Sequence, residues 1–582
     1  MKSENSMSPL KKRKVTKSFG FENILKYLMY AMLAWFIVSF LVIPNINTLY
    51  TTFFIDGSFS LEAVQKLLSS ERAMSSLKNS FILAVSLSVT VNIIGISLVL
   101  LTDYFDIKGS KILRLGYMTT LIYGGLILVS GYKFIYGGNG FITNFLVDIF
   151  PNMNQDWFVG YWAVLFVMTF ACTSNHLIFL SNAIKKLDFQ TIEAAKNMGA
   201  STFLILRRVV LPTLLPSIFA VTILIFITGL GATSAPLIVG GESFQTITPM
   251  ILTFSKSIGS RDLAAMLSIF LGMATVILLV CMNHFEKKGN YMSVSKVKTT
   301  IVKQKINNKF VNVLAHIYAY ALFLIYVVPV VLIILFSFTD AKSIATGTLS
   351  FSSFTLNNYI SLITNESAYK PFIVSILYSL LASIGVIIIT VSACRIIHKV
   401  KNKWSDILEY SLLLPWLLPS TLIAIGLITT FDKPQWFIGG NILVGTLVVL
   451  LLAYIIVKIP YTLRMIKAAF FSIDDTLEDA SKNLGASSLY TFFRILLPII
   501  LPSVLSVFAL NFNSLLTDYD LSVFLYHPLY QPLGVFIKNL TDANTVADNT
   551  TMTFVYAVIV MIISSITLYL VYGRDVKKTK KG

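Results

Sequence analysis

The chain has 582 residues, of which 55% are hydrophobic and only 13% charged, and its mean hydropathy is +0.76. A soluble protein carries roughly a quarter charged residues, so this composition excludes an ordinary soluble domain and makes the lipid bilayer the first partner to consider. The net charge of +18 lies in the flanks between apolar runs, which excludes a nucleic-acid-binding surface as its explanation.

Residues 1–23 form a basic N-terminal segment. Pro9-Leu10-Lys11-Lys12-Arg13-Lys14-Val15 has the form of a nuclear localisation signal. In front of a series of apolar runs it reads instead as the positive cytoplasmic flank of a first helix. That first run is too long for a removable signal peptide and lacks a small-residue cleavage site. Stretches near the ~20 residues needed to cross a bilayer then recur near 24–44, 80–102, 113–135, 159–182, 213–235 and 263–283. A second set follows near 313–338, 371–396, 407–430, 441–460, 499–517 and 553–573. Runs such as Val327 to Leu335 do not alternate as barrel strands do, so the spans are expected to be helices.

The expected fold is an all-α polytopic membrane protein of about twelve spans. A first six-helix domain covers 24–283, a lysine-rich linker covers 284–312, a second six-helix domain covers 313–573, and a basic tail covers 574–582. The N-terminus, linker and tail are all basic, which places all three in the cytoplasm. Cys172, Cys281 and Cys394 show no Cys-x-x-Cys spacing. Each has a histidine three or four residues on (His176, His284, His398), but two ligands do not make a stable metal site. The cysteines are read as small packing residues, and no metal site is expected.

Between the fourth and fifth spans the chain turns polar. Glu193-Ala194-Ala195-Lys196-Asn197-Met198-Gly199-Ala200-Ser201 is followed by Leu211-Pro212 and Leu215-Pro216. The same phrase returns between the tenth and eleventh spans, as Asp479-Ala480-Ser481-Lys482-Asn483-Leu484-Gly485-Ala486-Ser487 with Leu497-Pro498 and Leu501-Pro502. The copies align without a gap. Residues 191–198 can form two turns of helix, with Glu193 in the first turn where negative charge suits the helix dipole. Gly199 is placed to end that helix in a left-handed conformation, and Ser201 to cap the next. Glu478 sits beside Asp479 in the second copy. A polar island repeated at one place in both halves is expected to be a docking surface used twice.

These islands resemble the EAA loop of permease subunits from binding-protein-dependent ABC importers. The resemblance implies a type I importer-like fold in the cytoplasmic membrane of a bacterium, with both termini inside. It implies that Glu193, Ala194, Ala195 and Gly199, with Glu478, Asp479, Ala480 and Gly485, seat on two copies of a cytoplasmic ABC ATPase. It also implies an extracytoplasmic substrate-binding protein. The second copy departs from the family at Asp479 and Ser481, where Glu and Ala are usual. The chain has no Gly-x-x-x-x-Gly-Lys-(Ser/Thr) loop, and its longest soluble stretch, 461–498, is shorter than the ~50 residues of a small domain. ATP and magnesium are therefore expected on the partner ATPase, with no cofactor and no catalytic residue in this chain.

After the fifth and eleventh spans, 229–241 and 515–526 look like the corresponding stretches of fused permeases in the ferric-iron uptake group. That group overlaps with importers of 2-aminoethylphosphonate, thiamine and polyamines. Thr233, Ser234, Asp518, Tyr519 and Asp520 are expected along the translocation pathway; for Asp518 and Asp520 the reason is that ionisable residues at such depth tend to face a cavity rather than lipid, the alternative being that they cap the outer end of the span in water. Carboxylate oxygens suit a hard cation. Two other classes are disfavoured. A secondary transporter would place its sites near the midplane and leave the islands without a role. A membrane enzyme would need a clustered nucleophile or metal constellation.

Overall fold

The computed structural model describes residues 21–55, 57–121, 125–138, 140–184, 187, 189–288, 303–346, 349–400, 402–541 and 547–578. The expectations for residues 1–20, for 289–302 of the linker and for 579–582 of the tail lie outside the described residues.

The chain is helical almost throughout, with one short antiparallel hairpin pairing Phe54–Ile55 with Ser58–Phe59 among the described residues. Without water in the hydrocarbon, helices satisfy their own backbone groups, which is why apolar sequence of this length takes that form. Ten helices among the described residues are long and apolar enough to cross a membrane, and two bent pairs bring the number to as many as twelve. In chain order they are span one Tyr27–Phe53, span two Glu71–Tyr104, span three Ser110–Thr120 with Gly125–Ile149, span four Tyr161–Ser181, span five Thr202–Leu230 and span six Arg261–Cys281. The second half repeats the series as span seven Lys309–Ser337, span eight Glu366–Lys399, span nine Lys403–Leu417 with Ser420–Phe431, span ten Leu447–Phe471, span eleven Ser488–Leu516 and span twelve Thr550–Thr567.

The spans expected near 113–135 and 407–430 are each built of two helices. The two parts of span nine meet at 105°. In span nine, Pro419 forces the residue before it out of the helical region. Leu418 and Pro419 are both extended, with ψ of 132° and 147°, and the helix resumes in a new direction at Ser420.

The linear boundary between the halves is not a boundary in packing. The first span of each half lies against the other half. Leu33, Phe36, Phe40 and Leu41 of span one are buried in a cluster with Val386, Phe431 and Tyr454. Asn47 donates to the Thr430 hydroxyl at 3.0 Å and the Trp35 indole to the Phe437 carbonyl at 3.0 Å. Span seven likewise buries Ala319, Leu322, Tyr326 and Phe336 among residues of spans two to five, and Tyr117 donates to the Ala319 carbonyl at 2.7 Å. The end of the linker is tied to the first half. Gln304 N–H donates to the Tyr104 carbonyl at 2.8 Å, and Lys303 Nζ to the Thr102 carbonyl at 2.6 Å.

Small residues set the closest crossings, as they do between membrane helices. A Cβ on Gly229 of span five would lie 2.7 Å from Ala84 Cα of span two. Of the cysteines, Cys172 and Cys394 are buried, but Cys281, expected to pack inside, is exposed. His176 is buried and pairs through Nε2 with Asn92 Oδ1 at 3.0 Å, while the His398 ring stands edge-on to Phe471 at 5.3 Å. The side chain of His284 lies outside the described residues.

Candidate functional site

The two polar islands fold alike. A helix over Phe189–Asn197 matches one over Asp475–Asn483. Gly199 and Gly485 both follow at φ +83°. At the first, Gly199 N–H donates to the Lys196 carbonyl at 2.9 Å and Ala200 N–H to Ala195 at 3.1 Å. This pair of bonds closes a helix on a left-handed residue and satisfies carbonyls left open at its end. Ala486 N–H makes the equivalent bond to Ser481 at 3.1 Å. Ser201 Oγ then accepts from Leu204 N–H at 3.3 Å, and Ser487 Oγ from Tyr490 N–H at 3.2 Å. Each serine caps the following helix, which runs through a π turn (Leu206–Val210, Phe492–Leu496) and into the proline-bearing span.

The outward faces correspond too. Glu193, Ala194, Asp479 and Ala480 are exposed. Met198 is 81% and Leu484 89% exposed, so each island ends in a large apolar side chain held in solvent. Sequence reasoning passed over this pair, although Met and Leu occupy the same place before the glycine in both copies.

The inward faces differ. Ile192 is buried in the apolar core of the first half. Its counterpart, Glu478, was expected among the docking residues but is turned inward. Its carboxylate accepts two bonds from the Arg395 guanidinium, at 2.7 and 2.8 Å, and lies 3.4 Å from Lys399 Nζ. Such a bidentate pair is directional as well as strong. Ser481, which departs from the usual alanine, is buried and shares a hydrogen bond with Thr491 at 2.8 Å. The first half has Ala195 and Ile205 at those two places, both in its apolar cluster. The two hydroxyls thus occur together in the second half, where the first half has two apolar side chains. One island is seated by apolar packing, the other by an ion pair and a hydroxyl pair.

The expected pathway residues come together where the halves meet. Ser234 Oγ donates to Asp520 Oδ1 at 3.4 Å across the interface, and Thr233 faces the same carboxylate. Thr233 and Tyr519 are buried, while Asp520 is exposed to the space between the halves. Asp518 has a different part. Its carboxylate accepts from the backbone N–H groups of Leu521 at 3.3 Å and Ser522 at 3.1 Å, so it caps the short helix Ser522–Leu525. Lys458 of span ten acts electrostatically on both carboxylates. Sequence reasoning missed it, because nothing local distinguishes a lone lysine late in an apolar run. The counterparts of Lys458, Asp518 and Asp520 in the first half are Cys172, Ala232 and Ser234. The charges thus belong to one half only.

A duplicated helical bundle with a repeated, glycine-ended island and a polar cluster on its dividing plane defines a membrane permease built from two fused halves. The sequence profile of the binding-protein-dependent transport system inner membrane component matches residues 134–287 and 385–577, once in each half. The chain belongs to that family and is a multi-pass permease subunit of an ABC importer. It is 36% identical over 551 residues to the probable ABC transporter permease protein y4fN of Sinorhizobium fredii, covering 94% of this chain and 96% of that one. It is 22% identical to the ferric transport system permease protein FbpB of Actinobacillus pleuropneumoniae, over 84% of this chain and 70% of that protein. A third relative is the putative 2-aminoethylphosphonate transport system permease protein PhnV of Salmonella paratyphi A, at 26% identity over 41% of this chain and 90% of that one.

Proposed function

We propose that this permease imports ferric iron handed over by an extracytoplasmic binding protein, and that two copies of a cytoplasmic ABC ATPase drive it from the two islands. Both termini lie in the cytoplasm. In this reading Glu193, Ala194, Ala195 and Gly199 form one coupling segment, and Asp479, Ala480 and Gly485 the other. ATP and magnesium belong to the partner.

The observation that carries the coupling reading is the repeated island. Both copies keep the same helix, the same left-handed glycine and the same exposed apolar end at Met198 and Leu484. A large apolar side chain held in solvent at two equivalent places fits a socket on a second protein, where apolar area removed from water favours binding. Glu478 supports its island from beneath rather than meeting the ATPase.

The cargo reading is supported by the likeness to the ferric permease and by local charge. Asp518 and Asp520 outnumber Lys458, and carboxylate oxygens suit a hard cation better than a phosphonate. Asp520, exposed beside Ser234, is the carboxylate open to cargo. Iron passes it weakly, and affinity resides in the binding protein.

Proteoliposomes holding this chain, its ATPase and its binding protein test the reading through ATP-dependent uptake of labelled ferric iron. Uptake blocked by 2-aminoethylphosphonate, thiamine or a polyamine, and indifferent to ferric iron, overturns the cargo. Uptake that persists with a catalytically dead ATPase overturns the coupling.

A further inference from the structure

A groove of about 610 Å³ runs along the outside of the bundle, between span one, span eight and the first turns of span eleven. Met32, Phe36, Ile388, Leu489 and Phe492 line it. Met32 and Ile388 are each 60% exposed, and on a membrane-crossing chain such side chains meet acyl chains rather than water. Two cations, Arg395 and Lys399, line the same groove. They stand four residues apart on span eight, hence on one helix face, at the end that meets the second island. Glu478 answers both of them with a single carboxylate, which leaves a positive charge at that end.

An apolar trough with surplus positive charge at one end, set in the lipid-facing surface, fits one kind of occupant. We propose that it holds an anionic phospholipid, with an acyl chain against Ile388 and Phe492 and the phosphate on Lys399 and Arg395. A zwitterionic lipid would fill the trough but leave the cations without a counter-charge, and a free phosphate ester would answer the cations but leave the trough empty. Because Glu478 belongs to the second island helix and shares these two cations, the bound lipid also abuts the seat of that island. Among the described residues the first island is seated by Ile192 instead, in the apolar core of its half.

The test uses the full chain in nanodiscs of phosphatidylcholine, doped with either phosphatidylglycerol or phosphatidylcholine carrying a photoreactive acyl chain. Peptides containing Ile388 or Phe492 should be labelled by the phosphatidylglycerol probe about fivefold more, as expected for about one basic side chain near a membrane surface. Lys399→Gln should bring that ratio close to one without changing labelling by phosphatidylcholine. Lys399 is partly exposed, so its loss leaves the bundle intact. Ile388→Trp, which fills the trough, should remove labelling by both probes, and excess glycerol phosphate should displace neither. Equal labelling of the wild type by the two probes, a ratio unaltered in Lys399→Gln, or displacement by glycerol phosphate overturns the proposal.

Discussion

Ser234 and Asp520 occupy the same position in the two halves of the chain, 286 residues apart, and the serine hydroxyl donates to the carboxylate at 3.4 Å. Equivalent residues touch each other only beside the axis that relates their surroundings. The pseudo-two-fold of the duplicated bundle therefore passes between these two side chains, and the expected pathway residues surround it.

A cross-link should follow from that contact. In a chain whose three cysteines are changed to serine, Ser234→Cys with Asp520→Cys places two sulfurs at a separation a disulfide can close. Copper phenanthroline is expected to join them within one chain, read as a reductant-sensitive shift in mobility after cleavage of the chain between the two positions. Failure to cross-link in resting vesicles, with or without ATP, would mean that the two halves do not meet here.

Much of this organisation is legible in the sequence because it is local. The repeated island, the glycine that ends its helix and the serine that caps the next one are matters of backbone chemistry within about ten residues. The spans follow from runs of apolar sequence, but the bend at Leu418-Pro419 shows where that rule gives way, since hydropathy is blind to direction. The exchange of spans one and seven between the halves was not legible. Leu33 and Phe40 are as apolar as any core residue, and nothing near them names Phe431 as their neighbour. Glu478 was misread for a related reason. A carboxylate on a polar helix looks solvent-facing until Arg395, 83 residues earlier, is brought beneath it.

The island glycines give a test free of packing effects. A Cβ added at Gly199 or Gly485 meets no atom within 4 Å, so Gly199→Val or Gly485→Val is penalised only by the left-handed backbone, at roughly 1–3 kcal/mol. The spans should insert and melt as in the parent, measured by membrane abundance and thermal unfolding in detergent. ATP-driven uptake should fall to background. Undiminished uptake in either variant would remove that island from the coupling path.

The unequal seating of the islands predicts an unequal response to substitution. Arg395→Met strips Glu478 of its bidentate partner and leaves a largely buried carboxylate without the guanidinium that accounts for its two shortest bonds. Loss of a hydrogen-bonded charged partner of this kind costs about 2 kcal/mol. Adding Glu478→Ile, the residue type that seats the first island at Ile192, should recover most of that loss. Thermal unfolding of the single and double variants, with binding of the partner ATPase, checks the sequence of effects. If the double variant is worse than Arg395→Met, the two islands are not alternative solutions to one packing problem.

The two aspartates near the axis should separate cleanly. Asp518→Ala removes the acceptor for two backbone N–H groups and should cost about 1 kcal/mol of stability, as the loss of a helix cap does. Asp518→Asn keeps an oxygen in that place and should retain most of the stability. Asp520 makes no such backbone bonds among the described contacts. It bonds to Ser234 and stands exposed between the halves. Asp520→Asn should therefore leave unfolding and ATPase assembly unchanged while lowering ferric iron uptake several-fold. The comparison is made by measuring stability and uptake on the same three preparations. Should Asp518→Asn abolish uptake while Asp520→Asn leaves it intact, the capping carboxylate rather than the axial one would be the group that meets the cargo.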